Sequence, residues 1–178
     1  ADITVATSLM EARLLTGSLA LFEQMRAVTG PDRIWPDAAF FESKQQERQQ
    51  RCQRYNETAF NLEPNIKEGP GGLRDLQVLI WVARAAGLGR SWNELAANAI
   101  VTPFEAKQLQ RNEGQMKLIR ARLHMIARRR EDRLVFDLQT AVAQSLGLAA
   151  ANGQRVSELL MRRYYWAAKA IVQLNQIV

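Results

Sequence analysis

The residues of this chain best suited to chemistry stand together in Asn61-Leu62-Glu63-Pro64-Asn65-Ile66-Lys67-Glu68-Gly69-Pro70-Gly71-Gly72-Leu73-Arg74-Asp75-Leu76. One cation, Lys67, precedes the glycines Gly69, Gly71 and Gly72, and a second, Arg74, follows them. A glycine-rich loop that runs into a helix offers backbone N–H groups and the positive end of the helix dipole, which suit a phosphate or a carboxylate. The same residues also permit a structural use, in which Gly71 and Gly72 make a tight turn while Arg74 and Asp75 pair with other charges of the core. Residue chemistry alone leaves both readings open. The loop is not a general nucleotide motif. A Walker A sequence closes on Gly-Lys-Ser/Thr, whereas Gly72 is followed by Leu73 and Arg74, and the spacing and preceding strand of a dinucleotide fingerprint are missing.

Other catalytic constellations fail on their residue types. Metal-dependent nucleotidyl transfer needs closely spaced carboxylates, and no Asp-x-Asp occurs. Gly17-Ser18 resembles the opening of such a site, but Leu19-Ala20-Leu21 follow it and no carboxylate pair lies downstream. His124 is the only histidine and Cys52 the only cysteine, so neither a His-Asp metal site, a zinc cluster nor a Ser-His-Asp triad can be built. His124 lies among Leu123, Met125 and Ile126 and reads as an ordinary buried or half-buried helix residue. Trp35, Trp81, Trp92 and Trp166 could stack on bases, but tryptophans in helical patterns are expected in the core or between helices. No catalytic residue and no metal ligand is assigned within the chain.

The elements that must position the loop are helical. Ile3, Val5, Leu9, Met10, Ala12 and Leu15 predict a first helix ended by Gly17, and Leu19, Leu21, Phe22 and Met25 a second, broken at Gly30-Pro31. From Asp37 to Tyr55 a Gln/Arg-rich helix has few apolar anchors beyond Phe40 and Phe41, so it is expected to be largely solvated or to lie against another domain. Leu73, Leu76, Leu79, Ile80 and Ala83 recur at helical spacing up to Gly87 and Gly89. Ser91-Trp92-Asn93-Glu94 and Thr102-Pro103-Phe104-Glu105 both have capping-box spacing, and the second starts a helix of about 27 residues carrying Leu109, Met116, Ile119, Leu123 and Ile126 on one stripe. A helix from Asp137 to near Gly147 follows, Asn152-Gly153 reads as a helix–helix connection, and Val156 to Ile177 forms the last helix. No alternating strand and no internal repeat is seen. The expected fold is all-α, an irregular bundle of about six to eight helices. It is read as one helical domain over 1–178, with N-terminal helices in 1–60, the glycine loop entering its helix in 61–76, and the bundle in 77–178.

Composition sets the outer limits. With 178 residues, 47% of them hydrophobic, the chain can bury a sizeable core. No apolar run approaches the ~18 residues of a membrane span, so no membrane is expected. One cysteine and no basic n-region at the start fit a reducing cytoplasmic setting without a signal peptide. The absence of an initiating Met and a start in mid-pattern lead to the expectation of a piece of a longer protein. The net charge of +6 admits nucleic acid through Arg128, Arg129, Arg130, Arg133, Arg162 and Arg163, with binding that weakens steeply with salt. The reading preferred over nucleic acid is a solvated arginine-rich helix end with Glu131 and Asp132 beside it.

Asn61 to Leu76, together with Asp2-Ile3-Thr4-Val5-Ala6-Thr7-Ser8-Leu9-Met10-Glu11-Ala12-Arg13, closely resembles the bacterial PII uridylyltransferase/uridylyl-removing enzymes. Leu134-Val135-Phe136-Asp137-Leu138-Gln139 and Met161-Arg162-Arg163-Tyr164-Tyr165 resemble later landmarks in the same order, so the resemblance covers essentially the whole chain. The glutamine synthetase adenylyltransferases share a related glycine signature and are the nearest alternative, but Glu68-Gly69-Pro70-Gly71-Gly72-Leu73-Arg74-Asp75-Leu76 favours the uridylyltransferases. The resemblance implies the helical segment after the nucleotidyltransferase domain of a modular enzyme, ahead of a His-Asp hydrolase domain and glutamine-sensing modules. It implies a parent that transfers UMP from UTP to a tyrosine of the PII nitrogen-signalling protein when glutamine is low and removes it when glutamine is high. Both activities would use Mg2+ or Mn2+, bound outside this chain. It further implies that Lys67, Gly69, Gly71, Gly72 and Arg74 close over the triphosphate or position the incoming PII loop.

Overall fold

A computed structural model of the chain describes residues 2–30, 36–55, 58–150 and 153–174. Among them eight helices occur: α1 (Ile3–Met10), α2 (Leu19–Val28), α3 (Asp37–Arg54), α4 (Leu73–Ala85), α5 (Trp92–Ala97), α6 (Pro103–Ala127), α7 (Phe136–Ser145) and α8 (Val156–Leu174). No strand is present among the described residues, only an isolated antiparallel bridge between Asn65 and Arg133. The fold is all-α, as the patterning predicts.

The helix starts follow from side chains that satisfy the first free N–H groups. Asp2, Ser18 and Ser91 each accept from a first-turn amide of α1, α2 and α5. Thr102 and Glu105 form a complete capping box with Pro103 at the first turn of α6. That helix covers 25 residues and stops where Arg128 turns into the left-handed region at φ 51°.

Helix α4 organises the interior because it is buried on two sides. Leu73, Leu76 and Ala83 join the larger core, built with Leu109, Met116, Ile119 and Leu123 of α6, Val142 of α7 and Leu160, Tyr164 and Ile171 of α8. Val78, Trp81 and Ala85 turn the other way and meet Ala6, Met10 and Phe40 of α1 and α3 in a smaller core. The spacing of these two sets, threaded through one helix of 13 residues, is why its sequence is apolar almost all round.

Three expectations need correction. Helix α1 ends at Met10 and not at Gly17. Ala6 and Met10 reach the smaller core, whereas residues 11–20 are all exposed, so nothing rewards continuing the helix. Glu11 instead leaves the helix and accepts the indole N–H of Trp81 at 2.8 Å. Helix α3 is less solvated than its composition suggests: Phe40, Lys44 and Arg51 are buried along one stripe. Among the tryptophans, Trp81 and Trp92 are buried as expected, but Trp166 is 75% exposed, because α8 turns Tyr164, Ala167, Ala168 and Ile171 inward instead. Trp35, Asn152 and Ile177 lie outside the described residues.

The largest fully buried side chain is Tyr164, whose hydroxyl finds no hydrogen-bond partner among the described residues. Burial, followed by the nearby Tyr165 and the charge of Asp75, pushes its ionisation well above the ordinary range. An unpartnered buried hydroxyl costs desolvation and returns nothing. Tyr164→Phe is therefore expected to raise unfolding stability in urea by about 1 kcal/mol, read as a higher midpoint with an unchanged slope.

Candidate functional site

The glycine loop is held by its own backbone and by one buried carboxylate. Asn65 starts the turn, its side-chain oxygen accepting from the amides of Lys67 at 3.1 Å and Glu68 at 2.7 Å. The amides of Gly69, Gly72, Leu73 and Arg74 then donate to the carbonyls of Asn65, Gly69, Ile66 and Lys67. Gly71 has no backbone acceptor, and its amide donates to the Asp75 carboxylate at 2.8 Å. The loop amides from Lys67 to Arg74, Pro70 apart, are thus consumed inside the turn. The glycines serve closeness: Gly71 has φ +72°, and a Cβ on it would stand 2.4 Å from the Ala168 carbonyl of α8.

Asp75 is fully buried, and its other oxygen accepts from Arg51 of α3 at 2.6 Å. Arg51 also donates to the Glu68 carbonyl at 2.9 Å, so one guanidinium ties α3 to both the loop and the first turn of α4. A carboxylate in that first turn also meets the positive end of the helix dipole. Here the structural use weighed from sequence is realised for Asp75.

Lys67 and Arg74 stand on the rim of the loop, each with about a fifth of its side chain exposed. Both turn to Glu68, whose Oε1 lies 3.2 Å from Lys67 Nζ and 3.1 Å from Arg74 Nη2. Arg74 also donates to Gln77 at 2.9 Å and lies over the Trp81 ring. Partial burial works against the Glu68 charge, but the hydrogen bond and charge of Arg74, then those of Lys67, outweigh it and hold its carboxyl below the usual range.

A second charged knot fixes the far end of the loop. Ile66 N–H donates to the Asp132 carbonyl and Leu134 N–H to the Pro64 carbonyl, closing the bridge between Asn65 and Arg133. The Asp132 carboxylate accepts from Arg120 at 2.6 Å and sits 3.2 Å from His124 Nε2. Burial opposes its ionisation, yet the hydrogen bonds of Arg120 and His124 and the Arg120 charge hold it below the usual range. His124 is half-buried in α6, as its setting predicts, and its contact with Asp132 is not visible in the local pattern. The arginines that follow are exposed and matched by carboxylates: Arg129 to Glu131, Arg130 to Asp132 and Arg133 to Glu63.

Among the depressed carboxylates, Glu68 and Asp132 are partly buried and set an acid limit on stability. Their ordinary values are 4.5 for Glu68 and 3.8 for Asp132, both lowered in the fold. A lowered folded-state value contributes stability that is present above the unfolded value and is lost as pH falls through the folded one. Unfolding free energy is expected to be flat on this account near neutrality and to fall below about pH 4. Glu68→Gln should flatten part of that fall in a pH series of urea titrations.

No three His, Cys, Asp or Glu side chains gather to hold a metal ion among the described residues. The donor set for the divalent metal that the resemblance implies is not found there, and no step is routed through it. No described helix is long and apolar enough to cross a membrane.

Fold and loop together define an all-helical unit that presents paired charges around a glycine turn. Residues 39–178 match the family described as GlnD PII-uridylyltransferase. A bifunctional uridylyltransferase/uridylyl-removing enzyme of Cupriavidus pinatubonensis is 56% identical over the whole chain. One of Burkholderia mallei with the same name is 54% identical over 99% of it. The chain spans about a fifth (20%) of the length of these relatives. No solved structure matches it. The chain belongs to the GlnD PII-uridylyltransferase family.

Proposed function

We propose that this chain is the helical domain of a protein that transfers UMP from UTP to a tyrosine of the PII nitrogen-signalling protein and removes it again in response to glutamine. The observation that carries the reading is 56% identity, over the whole chain, to a relative named for both activities. Transfer and removal fall to neighbouring nucleotidyltransferase and His-Asp domains of the same protein, with Mg2+ or Mn2+ bound there, in the cytoplasm. Within this chain, Lys67 and Arg74 meet the triphosphate of UTP or the approaching PII loop. Their role is electrostatic and orienting.

The geometry narrows the part the loop plays in this proposal. Gly69, Gly71 and Gly72 spend their amides within the turn, so their contribution is to hold the rim in place rather than to grip the anion. Glu68 occupies the position that an anion would take, bound between Lys67 and Arg74. An incoming phosphate oxygen would replace one carboxylate by another anion without leaving the cations bare.

The test uses the full-length protein with PII, UTP and magnesium. Low glutamine should give a mass increase of one UMP on PII, and high glutamine should reverse it. A full-length protein that leaves PII unmodified under both conditions would refute the proposal.

A further inference from the structure

Between α1, α2, the end of α4 and α5 lies a cavity of about 540 Å³ that the glycine loop does not touch. Three arginines from separate segments line it: Arg26 of α2, Arg84 of α4 and Arg90 of the turn before α5. Arg26 has a long contact with Glu23 at 3.7 Å, both exposed. The Glu94 carboxylate is engaged by the Arg90 backbone amide at 2.9 Å. The guanidiniums of Arg84 and Arg90 make no hydrogen bond or ion pair with a described residue. Burial first, then the charges of Arg90 and Arg26, push Arg84 below its ordinary value, against the opposing pull of Glu11 and Glu94.

Like charges gathered in a cleft repel one another unless an anion joins them, and a perturbed group in a cleft is a recognised sign of a binding site. Arginine forks match oxyanions through paired hydrogen bonds. A carboxylate has two oxygens and satisfies one fork well. Three arginines from three separate segments suit a group with more oxygens. Leu9, Met10 and Ala27 line the same cavity and leave room for an apolar or ring-bearing body beside the charged end. We propose that this cavity is a binding site for a phosphorylated small molecule, held at its phosphate by Arg26, Arg84 and Arg90.

The position of Arg26 gives the site a structural consequence. Helix α2 buries no residue of its own and exposes Leu19, Leu21 and Val28. An anion shared by Arg26, Arg84 and Arg90 ties this helix to α4 and to the turn before α5. Ligand binding then protects α2 from local opening.

The probe is pyrophosphate, titrated calorimetrically into the 178-residue chain at ionic strength held constant with chloride. Saturable binding is expected, weakened tenfold or more by Arg84→Gln and by Arg90→Gln and unchanged by Lys107→Gln on the exposed side of α6. Hydrogen exchange in residues 19–28 should slow in its presence. The Arg90→Gln variant guards against a folding defect, since Arg90 is exposed, and circular dichroism confirms the fold of each protein. No saturable binding by the folded chain, binding that survives both arginine substitutions, or binding abolished equally by Lys107→Gln would each overturn the proposal. The PII assay on the full-length protein does not depend on this site, so the two readings stand or fall separately.

Discussion

Asp75→Ala should destabilise the fold by about 3–5 kcal/mol, the range for breaking a buried ion pair by removing one partner. Stabilities of native domains are about 5–15 kcal/mol, so the variant should sit at or near the edge of folding. The reason is that two demands meet on one carboxylate. Asp75 neutralises Arg51, which is itself 7% exposed, and it accepts the Gly71 amide, which has no backbone acceptor. Removal leaves the buried Gly71 N–H without a partner and leaves the buried Arg51 charge with the Glu68 carbonyl at 2.9 Å and the Glu68 carboxylate at 3.9 Å as its remaining contacts. The mechanism has its own control. In the Asp75→Ala, Arg51→Met double variant the bare charge is gone, and a large part of the loss should return, since an apolar side chain replaces a buried charge at little cost. Urea unfolding of the four proteins in that cycle measures the coupling, and additive losses would show that the pair does not act as a unit.

Gly71→Ala is the second large loss, expected at about 3 kcal/mol or more from overpacking combined with a left-handed backbone that alanine disfavours. The added Cβ would fall 2.4 Å from the Ala168 carbonyl oxygen and 2.8 Å from its Cα, both backbone atoms of α8 that cannot swing aside. Relief requires α4 and α8 to separate, which opens the larger core around Tyr164 and Ile171. Gly114→Ala is the matched control: it sits on the exposed side of α6 with nothing within 4 Å of an added Cβ, and there alanine should stabilise the helix by about 0.5–1 kcal/mol. Thermal unfolding of the two variants should therefore move in opposite directions.

These two sites also show what could be read from the sequence. Helix existence was legible almost throughout, because capping signals such as Ser91 and the box of Thr102 and Glu105 act locally and the apolar stripe of α6 repeats cleanly. The end of α1 was not legible. Ala12 and Leu15 continue the apolar period, but whether a helix continues depends on what covers it, and the apolar core with Phe40 and Trp81 extends only as far as Met10. Helix α3 misleads for the opposite reason. Lys44 and Arg51 count as solvated in any hydrophobic pattern, yet each is buried, Lys44 beside Glu47 and over the Trp81 ring, Arg51 against Asp75. Their partners are set by tertiary contact, which periodicity does not encode.

The candidate site was legible as residues and not as geometry. Lys67, Arg74 and the glycines lie on one turn, and Asn65 and Glu68, which the residue types do not mark out, hold it together. Asn65 carries a usable signal, an Asn two and three residues before the amides it accepts. Glu68 carries none, because a carboxylate between two cations in sequence does not reveal which of them it will bind. Arg26, Arg84 and Arg90 lie far apart along the chain and come together only through the packing of α4 and the turn before α5 near α2.

The central claim is that the rim cations of the loop, and not its amides, face the anionic substrate in the assembled enzyme. The direct measurement is steady-state transfer of UMP from UTP to PII by the full-length protein, wild type against Arg74→Ala, with Tm recorded for both. A tenfold or greater fall in kcat/KM at a Tm within a few degrees of wild type, with partial recovery in Arg74→Lys, is the predicted result. Kinetics equal to wild type in a folded Arg74→Ala protein would contradict the claim and leave Arg74 as one more tie in the scaffold.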